Sequence, residues 1–304
     1  MNSATEPRAT NAVVIVGSAN IDQVLRVARI PSPGETVMSA GLSIARGGKG
    51  QNQAVAAARA GASTVLIAAI GDDEFGRRTR DGLADDGVDL TLLRTVAAPT
   101  GTALIAVDDN GENTIIVEAG ANSHLTGLTE ADILALTHAD ALILQLEIPL
   151  ETVEAAASAA HAGGTTVILN AAPIRDLPRE LLDDVDILVV NEHEAAYLAG
   201  SGSVSDLARA VIVTLGAEGA VLHQRGSADI SVPAPKVAAV DATGAGDTFC
   251  GALAASLAEG VGLENALRFA VAAASLSVQH PGAVPSIPRR AAIDHALSTG
   301  NRQP

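Results

Sequence analysis

Short runs of apolar, β-branched residues recur along the chain and are separated by polar or alanine-rich stretches. The runs are residues 12–17, 64–71, 141–147, 165–170, 186–192 and 210–216. Each is apolar throughout instead of alternating, which indicates strands covered on both faces of a parallel sheet. The alanine-rich segments between them, such as 51–62 and 149–164, have helical spacing. This alternation predicts a doubly wound α/β fold with a mostly parallel sheet and helices on both faces.

Two stretches depart from that pattern. Residues 20–45 and 101–119 contain strand-like runs joined by proline, glycine and Asn-Gly turn signals. The second stretch predicts a hairpin that turns at Asp108–Gly111. We expect both stretches to form a small β-sheet lid that stands off the main sheet. Its exposed face offers a surface to a second copy, which predicts a homodimer through the lid.

The length of the chain favours one main body. It has 304 residues, and α/β domains commonly reach that size with a small appendage. A short helix is expected in the tail, residues 288–304. The predicted organisation is a single domain over 12–298, a lid from about 20–45 and 100–119, and flexible ends at 1–11 and 299–304.

The charge balance narrows the possible partners. Lys and Arg number 19 against 35 Asp and Glu, a net charge of −16, so the average surface repels nucleic acid and anionic membranes. We expect neither as a partner. A phosphorylated small molecule is still compatible with this charge, because backbone N–H groups and a few cations can bind the anion locally.

The cysteine content indicates a reducing compartment. Cys250 is the only cysteine, so neither an internal disulfide nor a cysteine-based zinc site can form. The first ten residues are polar, and the apolar run that follows is too short for a signal core or a membrane span. We therefore expect a cytoplasmic protein. Cys250 itself lies on an apolar helical face and is predicted to be a core residue.

A glycine-rich loop leads directly into a predicted helix within residues 239–253, AVDATGAGDTFCGAL. After Gly244, the N–H groups of Ala245, Gly246 and Asp247 would converge at the positive end of the helix dipole and form an anion hole. Asp247 could then take a proton from a substrate hydroxyl while the hole holds a transferring phosphoryl group. The same residues also allow a simpler reading, an aspartate that only stabilises its own helix.

A second glycine-rich loop opens a helix at residues 45–58, ARGGKGQNQAVAAA. It is not a Walker A loop, because that motif requires Gly-x-x-x-x-Gly-Lys-Ser/Thr and here Gln51 follows Gly50. Lys49 and Asn52 offer hydrogen-bond donors where glycines admit a ligand.

An amide and a carboxylate follow the first predicted strand, where open α/β sheets bind ligands. Asn20 and Asp22 are two residues apart, so both side chains face the same way on an extended segment. That pair suits a vicinal diol, and an Asx-type turn is the alternative.

Residues at the ends of two further predicted strands are candidates for binding a nucleotide and Mg²⁺. In NEHEA, Asn191 and Glu194 share one helix face and suit Mg²⁺, although surface helix starts often look similar. His193 between them is expected to be solvated, since no partner histidine has metal spacing. In VTLGAEGA, Thr214 and Gly216 lie at a bend that could pass under a nucleotide.

Taken in order, these stretches resemble the ribokinase-like (PfkB) family of carbohydrate kinases from about residue 12 to 298. The matching segments are GGKGQNQAVAAARAGA, GDDEFG, GENTIIVEAGAN, NEHEA, VDATGAGDTF and GAVPSIP. The resemblance implies an ATP-dependent kinase that phosphorylates D-ribose at O5 and yields D-ribose 5-phosphate and ADP. The alternatives are a kinase of the same family for 2-deoxyribose, fructose or a nucleoside, and a non-catalytic sugar-binding regulator.

The resemblance also implies roles for individual residues. Asp247 would be the catalytic base, and Gly244, Ala245 and Gly246 would form the anion hole. Glu194 would order Mg²⁺ through water. The implied sugar-binding set is Asn20, Asp22, Gly48, Lys49, Asn52, Glu147 and Asp247. The implied ATP-binding set is Asn191, Thr214, Gly216, Gly219 and Gly246. The set implied to enclose a monovalent cation, usually K⁺, is Asp241, Thr243, Ser277, His280, Gly282 and Ser286.

Overall fold

The computed structural model describes residues 11–300, so most of the flexible ends predicted at 1–11 and 299–304 lies outside the described residues. The strands are β1 (Ala12–Val16), β2 (Asn20–Arg26), β3 (Gly41–Gly47), β4 (Ser63–Gly71), β5 (Leu93–Val96), β6 (Gly101–Val107), β7 (Asn113–Glu118), β8 (Ala141–Leu144), β9 (Thr166–Asn170), β10 (Ile187–Asn191), β11 (Ala210–Thr214), β12 (Ala220–Gln224) and β13 (Ile230–Val232). The helices are α1 (Lys49–Arg59), α2 (Glu74–Asp85), α3 (Glu130–His138), α4 (Leu150–Gly163), α5 (Arg179–Asp183), α6 (Glu192–Ala199), α7 (Ala245–Ala258), α8 (Leu263–Ser277), α9 (Ala283–Ser286) and α10 (Arg290–Gly300).

The main sheet has nine strands in the order β13-β12-β11-β10-β9-β8-β1-β4-β5. Every neighbouring pair from β11 to β5 is parallel, whereas β12 and β13 are antiparallel additions at one edge. The prediction of a doubly wound, mostly parallel sheet is confirmed. The predicted strand at 141–147 is too long, because β8 ends at Leu144 and the side chains of the next residues form hydrogen bonds in the candidate site.

Alternate residues of each strand face two separate apolar cores. On β1, Val13 and Ile15 lie in the core that contains residues of α1, α7 and α8, while Val14 and Val16 lie in the core with residues of α3 and α4. Both faces of the sheet are therefore covered, which explains why the strands are apolar throughout. Within residues 11–300, no helix combines the length and the apolar character that a bilayer crossing requires.

Helices α1 and α7 approach closely because their contact is made by small residues. A β-carbon on Gly251 would lie 2.5 Å from the β-carbon of Ala56 and 2.6 Å from the carbonyl oxygen of Gln53. Only glycine allows this approach. It brings the start of α1 against the start of α7, where Asp247 lies one turn before Gly251.

A second sheet of four strands stands apart from the first, in the order β3-β2-β6-β7. Strands β6 and β7 form the predicted hairpin, and the carbonyl of Asp108 accepts the N–H of Gly111 at 3.1 Å in its turn. The chain thus contains the small β-sheet expected from residues 20–45 and 100–119.

Candidate active site

The site lies at the carboxyl edge of the main sheet, at the position where the order of the strands reverses. Strand β1 lies between β4 and β8, so the loops that follow β1 and β8 diverge and leave a crevice. Ser18 after β1 donates its hydroxyl to Oε2 of Glu147 after β8, at 2.5 Å. The backbone N–H of Lys49 donates to the same oxygen at 3.0 Å. The predicted sugar ligand Glu147 is thereby fixed by two other segments.

The glycine-rich loop between β3 and α1 packs directly on the segment that follows β1. A β-carbon on Gly48 would lie 2.7 Å from the backbone nitrogen of Asn20, and one on Gly50 would lie 2.5 Å from that of Ser18. Gly48 also has a φ of 89°, in the region that L side chains rarely adopt. The glycines therefore allow two backbone segments to meet under the crevice.

Asn20 and Asp22 lie on the same face of β2, as their spacing predicts. Asn20 is buried, and its Oδ1 accepts a hydrogen bond from Nδ2 of Asn122 at 2.6 Å. The Oδ1 atom of Asn122 accepts the N–H of Ala19 at 2.8 Å. Asn122, which the sequence reasoning did not select, thus fixes the orientation of the predicted diol-binding amide.

The carboxylate of Asp22 is packed against the glycine loop. A β-carbon on Gly47 would lie 2.2 Å from an oxygen of this carboxylate. Burial, and then the neighbouring carboxylates of Glu147 and Asp247, raise the pKa of Asp22 to about 6 from 3.8. The ionised form of such a carboxylate is stabilised when hydroxyl groups donate hydrogen bonds to it, which fits a polyol ligand.

Asp247 is a buried carboxylate in the first turn of α7. Its Oδ2 accepts Nδ2 of Asn52 at 2.9 Å, and its Oδ1 accepts Nε2 of Gln53 at 2.9 Å. Burial raises the pKa of Asp247, and the nearby Lys49 ammonium and the two amide donors offset this rise only in part. A carboxylate with a raised pKa is better suited to accept a proton than an ordinary aspartate.

The loop before α7 forms a turn that changes the predicted anion hole. Gly244 has a φ of 74°, and the N–H of Ala245 donates to the carbonyl of Ala242 at 3.2 Å. The expectation that three amides face an anion is therefore corrected, because this turn engages the amide of Ala245. The N–H groups of Gly246 and Asp247 have no protein acceptor among residues 11–300. A side chain at Gly246 would meet nothing within 4 Å, so this helix start is open.

A cleft of ≈ 160 Å³ is lined by two residues of the predicted sugar-binding set, Lys49 and Asp247, and by residues of the predicted nucleotide-binding set. Burial lowers the pKa of Lys49, but the surrounding carboxylates, Asp247 first and Glu147 next, outweigh burial and raise it overall. Lys49 is therefore a cation that lines the cleft. The residues that line the cleft are Lys49, Asn170, Ala172, Val189, Val190, Asn191, Glu194, Thr214, Gly244, Gly246 and Asp247.

Asn191 and Glu194 form a capping box at the start of α6. The N–H of Asn191 donates to Oε2 of Glu194, and the N–H of Glu194 donates to Oδ1 of Asn191, both at 2.8 Å. Asn191 and Glu194 therefore do stabilise a helix start, which was the alternative to a role with Mg²⁺. Both residues also line the cleft. His193 is exposed, as expected. Gly216 begins a single 3₁₀ turn after β11, near Thr214, and Gly219 follows that turn.

The residues of the implied cation set lie on two segments joined by Asp241. Oδ1 of Asp241 accepts the N–H and the hydroxyl of Thr243 at 2.9 and 2.6 Å, and Oδ2 accepts the N–H of Gly282 at 2.8 Å. Burial raises the pKa of Asp241, but these hydrogen bonds outweigh it and hold the pKa below its ordinary value. Ser277 and Ser286 are buried near the ends of the second segment.

The side chain of His280 is exposed, and its backbone N–H donates to the carbonyl of Ser277 at 3.1 Å. Among the described residues, no group of three or more His, Cys, Asp or Glu side chains has the arrangement of a metal site. The oxygen atoms of this set, with the Asp241 carboxylate among them, suit a hard cation better than a soft transition metal.

The profile of the pfkB family carbohydrate kinases matches residues 10–290. The chain belongs to this family. It is similar to the ribokinase of Haemophilus influenzae, with 41% identity over 91% of this chain and 95% of that protein. The ribokinase of Schizosaccharomyces pombe is 39% identical over 94% of this chain and 98% of its own length. The structure of Arabidopsis thaliana ribokinase complexed with ribose and ATP has a TM-score of 0.89 and 36% identity, and it covers 95% of this chain and 99% of that one.

The family resemblance inferred from the motifs is therefore confirmed. Several polar residues at the site were not selected from the sequence, although two lie inside motifs already singled out. Gln53 belongs to GGKGQNQ, and Asn122 ends EAGAN. The residues missed are Ser18, Gln53, Asn122, Gln145 and Asn170.

Proposed function

We propose that this chain is an ATP-dependent kinase that transfers a phosphoryl group to O5 of D-ribose and yields D-ribose 5-phosphate and ADP. The observation that carries the proposal is the position of Asp247. This buried carboxylate lies beside two open backbone amides at a helix start and is held by α1, the helix that follows the glycine loop. Its relatives of 39–41% identity over more than nine-tenths of the chain are ribokinases, which supports ribose as the acceptor.

The sugar would bind between the lid strands and the glycine loop. Asn20 and Asp22 would hold neighbouring hydroxyls, and Glu147 would accept a third. Asn52 already donates to Asp247, and its buried Oδ1 has no protein donor among the described residues. That oxygen is suited to accept a sugar hydroxyl next to the base, because a buried amide oxygen without a partner destabilises the ligand-free protein.

Phosphoryl transfer would then proceed in line. Asp247 takes the proton from the sugar hydroxyl, the oxygen forms a bond to the γ-phosphorus, and the bond between that phosphorus and ADP breaks. The amides of Gly246 and Asp247 and the positive end of α7 stabilise the charge on the transferring group. The Lys49 ammonium lies in the same cleft and adds positive charge beside it.

ATP would extend from this cleft along the ends of β10 and β11, over Asn191, Thr214, Gly216 and Gly219. Mg²⁺ bound with the nucleotide would neutralise phosphate charge. Glu194 fits the role of ordering it through water, because its capping box occupies Oε2 and leaves Oε1 for such a contact.

A monovalent cation, K⁺ in our proposal, would lie between the Asp241 segment and the segment from Ser277 to Ser286. Val240 and Asp241 both donate their N–H groups to the carbonyl of Val278, at 2.7 and 3.1 Å. The two segments are thus already joined, and Asp241 supplies the negative charge. The ion would stiffen the loop that ends in Gly244 without touching the substrate.

The four-stranded sheet would act as the lid and as the dimer interface. Leu104 and Ile116 are opposite each other on β6 and β7 and are 44% and 65% exposed, and Leu42 on β3 is 55% exposed. Exposed aliphatic side chains on a projecting sheet favour burial against a second copy. A cytoplasmic location remains a prediction from the sequence.

A substrate panel tests this function. Purified protein is assayed for ADP release with ribose, 2-deoxyribose, fructose and nucleosides, with and without K⁺. We expect the highest kcat/KM with ribose and a stimulation by K⁺. A site built to hold a hydroxyl rejects the analogue without it by up to about 10⁴–10⁵-fold, so deoxyribose is the decisive competitor. ADP release with another substrate only, or ribose binding without turnover, would contradict the proposal.

A further inference from the structure

A chain of buried side-chain amides leads from the end of β8 to Asp247. Nε2 of Gln145 donates to Oε1 of Gln53 at 2.6 Å, and Nε2 of Gln53 donates to Oδ1 of Asp247 at 2.9 Å. The same Nε2 donates to Oδ1 of Asn170 at 3.2 Å. Gln53 and Gln145 are both completely buried.

The direction of this chain is fixed by chemistry. An amide has one donor end and one acceptor end, and a carboxylate only accepts. Gln53 must therefore turn its NH₂ group toward Asp247, which leaves its oxygen for the NH₂ group of Gln145. Each donor along the chain polarises the next, so Gln145 strengthens the bond that Gln53 makes to the carboxylate.

The residues that directly follow Gln53 on α1 are apolar. Its neighbours on α1, Ala54, Val55, Ala56 and Ala57, are buried in the core that covers one face of the sheet. An uncharged polar side chain in such a place destabilises the fold unless its hydrogen bonds are made. An aliphatic residue would satisfy packing alone, so packing does not explain an amide at this position.

We propose that Gln53, held by Gln145 and Asn170, is a positioning residue that fixes the orientation of the base Asp247 toward the sugar hydroxyl. This inference rests on the proposed kinase function. Asn52 donates to the other carboxylate oxygen of Asp247, so two neighbouring side-chain amides of α1 hold this carboxylate through both of its oxygens. Neither the family match nor the sequence pattern assigned a role to Gln53.

The charged and titratable groups around the base stay in place when Gln53 is replaced. They are Lys49 on α1, Glu147 after β8, Asp22 on β2, and Cys250 on α7. Gln53 donates to the ionised form of Asp247, and removal of one such donor raises a carboxyl pKa by about one unit. The acidic limb of the kcat profile should therefore move to higher pH, a change that a purely structural role would not cause.

The test compares Gln53→Met, Gln145→Met and a control, Thr165→Val, which removes a fully buried hydroxyl bonded only to backbone carbonyls far from the site. For Gln53→Met we expect kcat to fall about 10- to 100-fold with a nearly unchanged KM for ribose, since a small misplacement of a reacting group has an effect of that size. The acidic limb of the kcat profile of this variant should move to higher pH by about one unit. Gln145→Met should lower kcat and move the acidic limb in the same directions but by smaller amounts, because Gln53 keeps its other contacts.

The control should keep the parental kcat and pH profile, with its thermal unfolding measured alongside. A Gln53→Met enzyme with parental kcat and an unmoved limb would overturn the inference. If that variant does not fold, a Gln145→Met enzyme with parental kcat and pH profile overturns it instead. A wild-type chain that phosphorylates no sugar would contradict the proposed function, and this inference with it, whereas an active wild type isolates the role of Gln53.

Discussion

Asn122 holds Asn20 in place through a buried hydrogen bond of 2.6 Å between Nδ2 and Oδ1. The two residues are 102 positions apart in the sequence and meet because β6 pairs with both β2, which begins at Asn20, and β7, which ends just before the 3₁₀ turn that holds Asn122. Asn122 also accepts the N–H of Ala19, so it fixes both the backbone and the side chain of the predicted sugar-binding segment.

Replacement of Asn122 by Ala should weaken ribose binding with little effect on kcat. The change leaves the N–H of Ala19 without its partner and frees the amide of Asn20, a loss of about 1–3 kcal/mol, or about 5- to 150-fold in Kd. Calorimetric titration with ribose measures this. The matched control is Ser123→Ala in the same turn, whose hydroxyl bonds only to the carbonyl of Gly120. Equal affinities for both variants would contradict the role of Asn122.

Gly47→Ala should displace the carboxylate of Asp22 and raise the KM for ribose. The new methyl would overlap that carboxylate, so Asp22 must rotate away from the sugar. A lost hydrogen bond to a charged group is worth about 1.5–3 kcal/mol, which corresponds to a rise in KM of about tenfold or more. Gly41→Ala on the same strand meets nothing within 4 Å and serves as the control. Steady-state kinetics in which both variants match the parent would show that Asp22 does not bind sugar.

Ribose affinity should decrease as the pH falls below about 6. The pKa of Asp22 is raised to about 6, and only its ionised form accepts two sugar hydroxyls, so Kd should rise about tenfold for each pH unit below that value. Binding measured without ATP between pH 5 and 8 tests this, and Asp22→Asn should remove the dependence along with most of the affinity. A flat profile for the wild type would contradict the assignment.

The raised pKa of Asp22 also makes the free energy of unfolding depend on pH. The folded chain binds the Asp22 proton more tightly than the unfolded chain, so this residue's contribution to the free energy of unfolding falls as pH rises from about 4 to about 6. Asp22→Asn should remove that decline in denaturant titrations of the ligand-free protein.

Ile116→Glu should convert a dimer into a monomer. The charge would be buried if two lids pair through this face, which is unfavourable without a partner. Leu134→Glu is the control, because Leu134 on α3 is 61% exposed, close to the 65% of Ile116, but lies outside the lid sheet. Sedimentation equilibrium gives the mass of each form. A monomeric wild type, or a variant that remains dimeric, would contradict the lid interface.

Much of the fold could be predicted from local pattern. The runs that became β1, β4, β9 and β10 are apolar throughout because both of their faces are covered, and the turn at Asp108–Gly111 has a clear signature. The strand–turn–strand pattern of VTLGAEGA corresponds to β11 and β12, whereas the edge strand β13 and the short β5 were not predicted. Strands β5 and β13 are short and only partly buried, so the sequence has little periodic signal there.

The candidate site was predicted less completely than the fold. Asp247 and Lys49 stand out because glycines surround them in the sequence. Gln53 does not, since its partner Asp247 lies 194 positions away and its neighbours are the alanines of an ordinary helix. The engagement of the Ala245 amide likewise depends on the left-handed conformation of Gly244, which motif spacing does not reveal.

The most direct test of the central claim is the turnover of Asp247→Asn with ribose and Mg·ATP. The substitution keeps the size of the side chain and removes the proton acceptor, so ribose affinity should stay within a small factor while kcat falls about 10²–10⁴-fold. ADP release and ribose phosphate formation are measured together on wild type and variant. A variant that phosphorylates ribose at nearly the parental rate would contradict the assignment of Asp247 as the base.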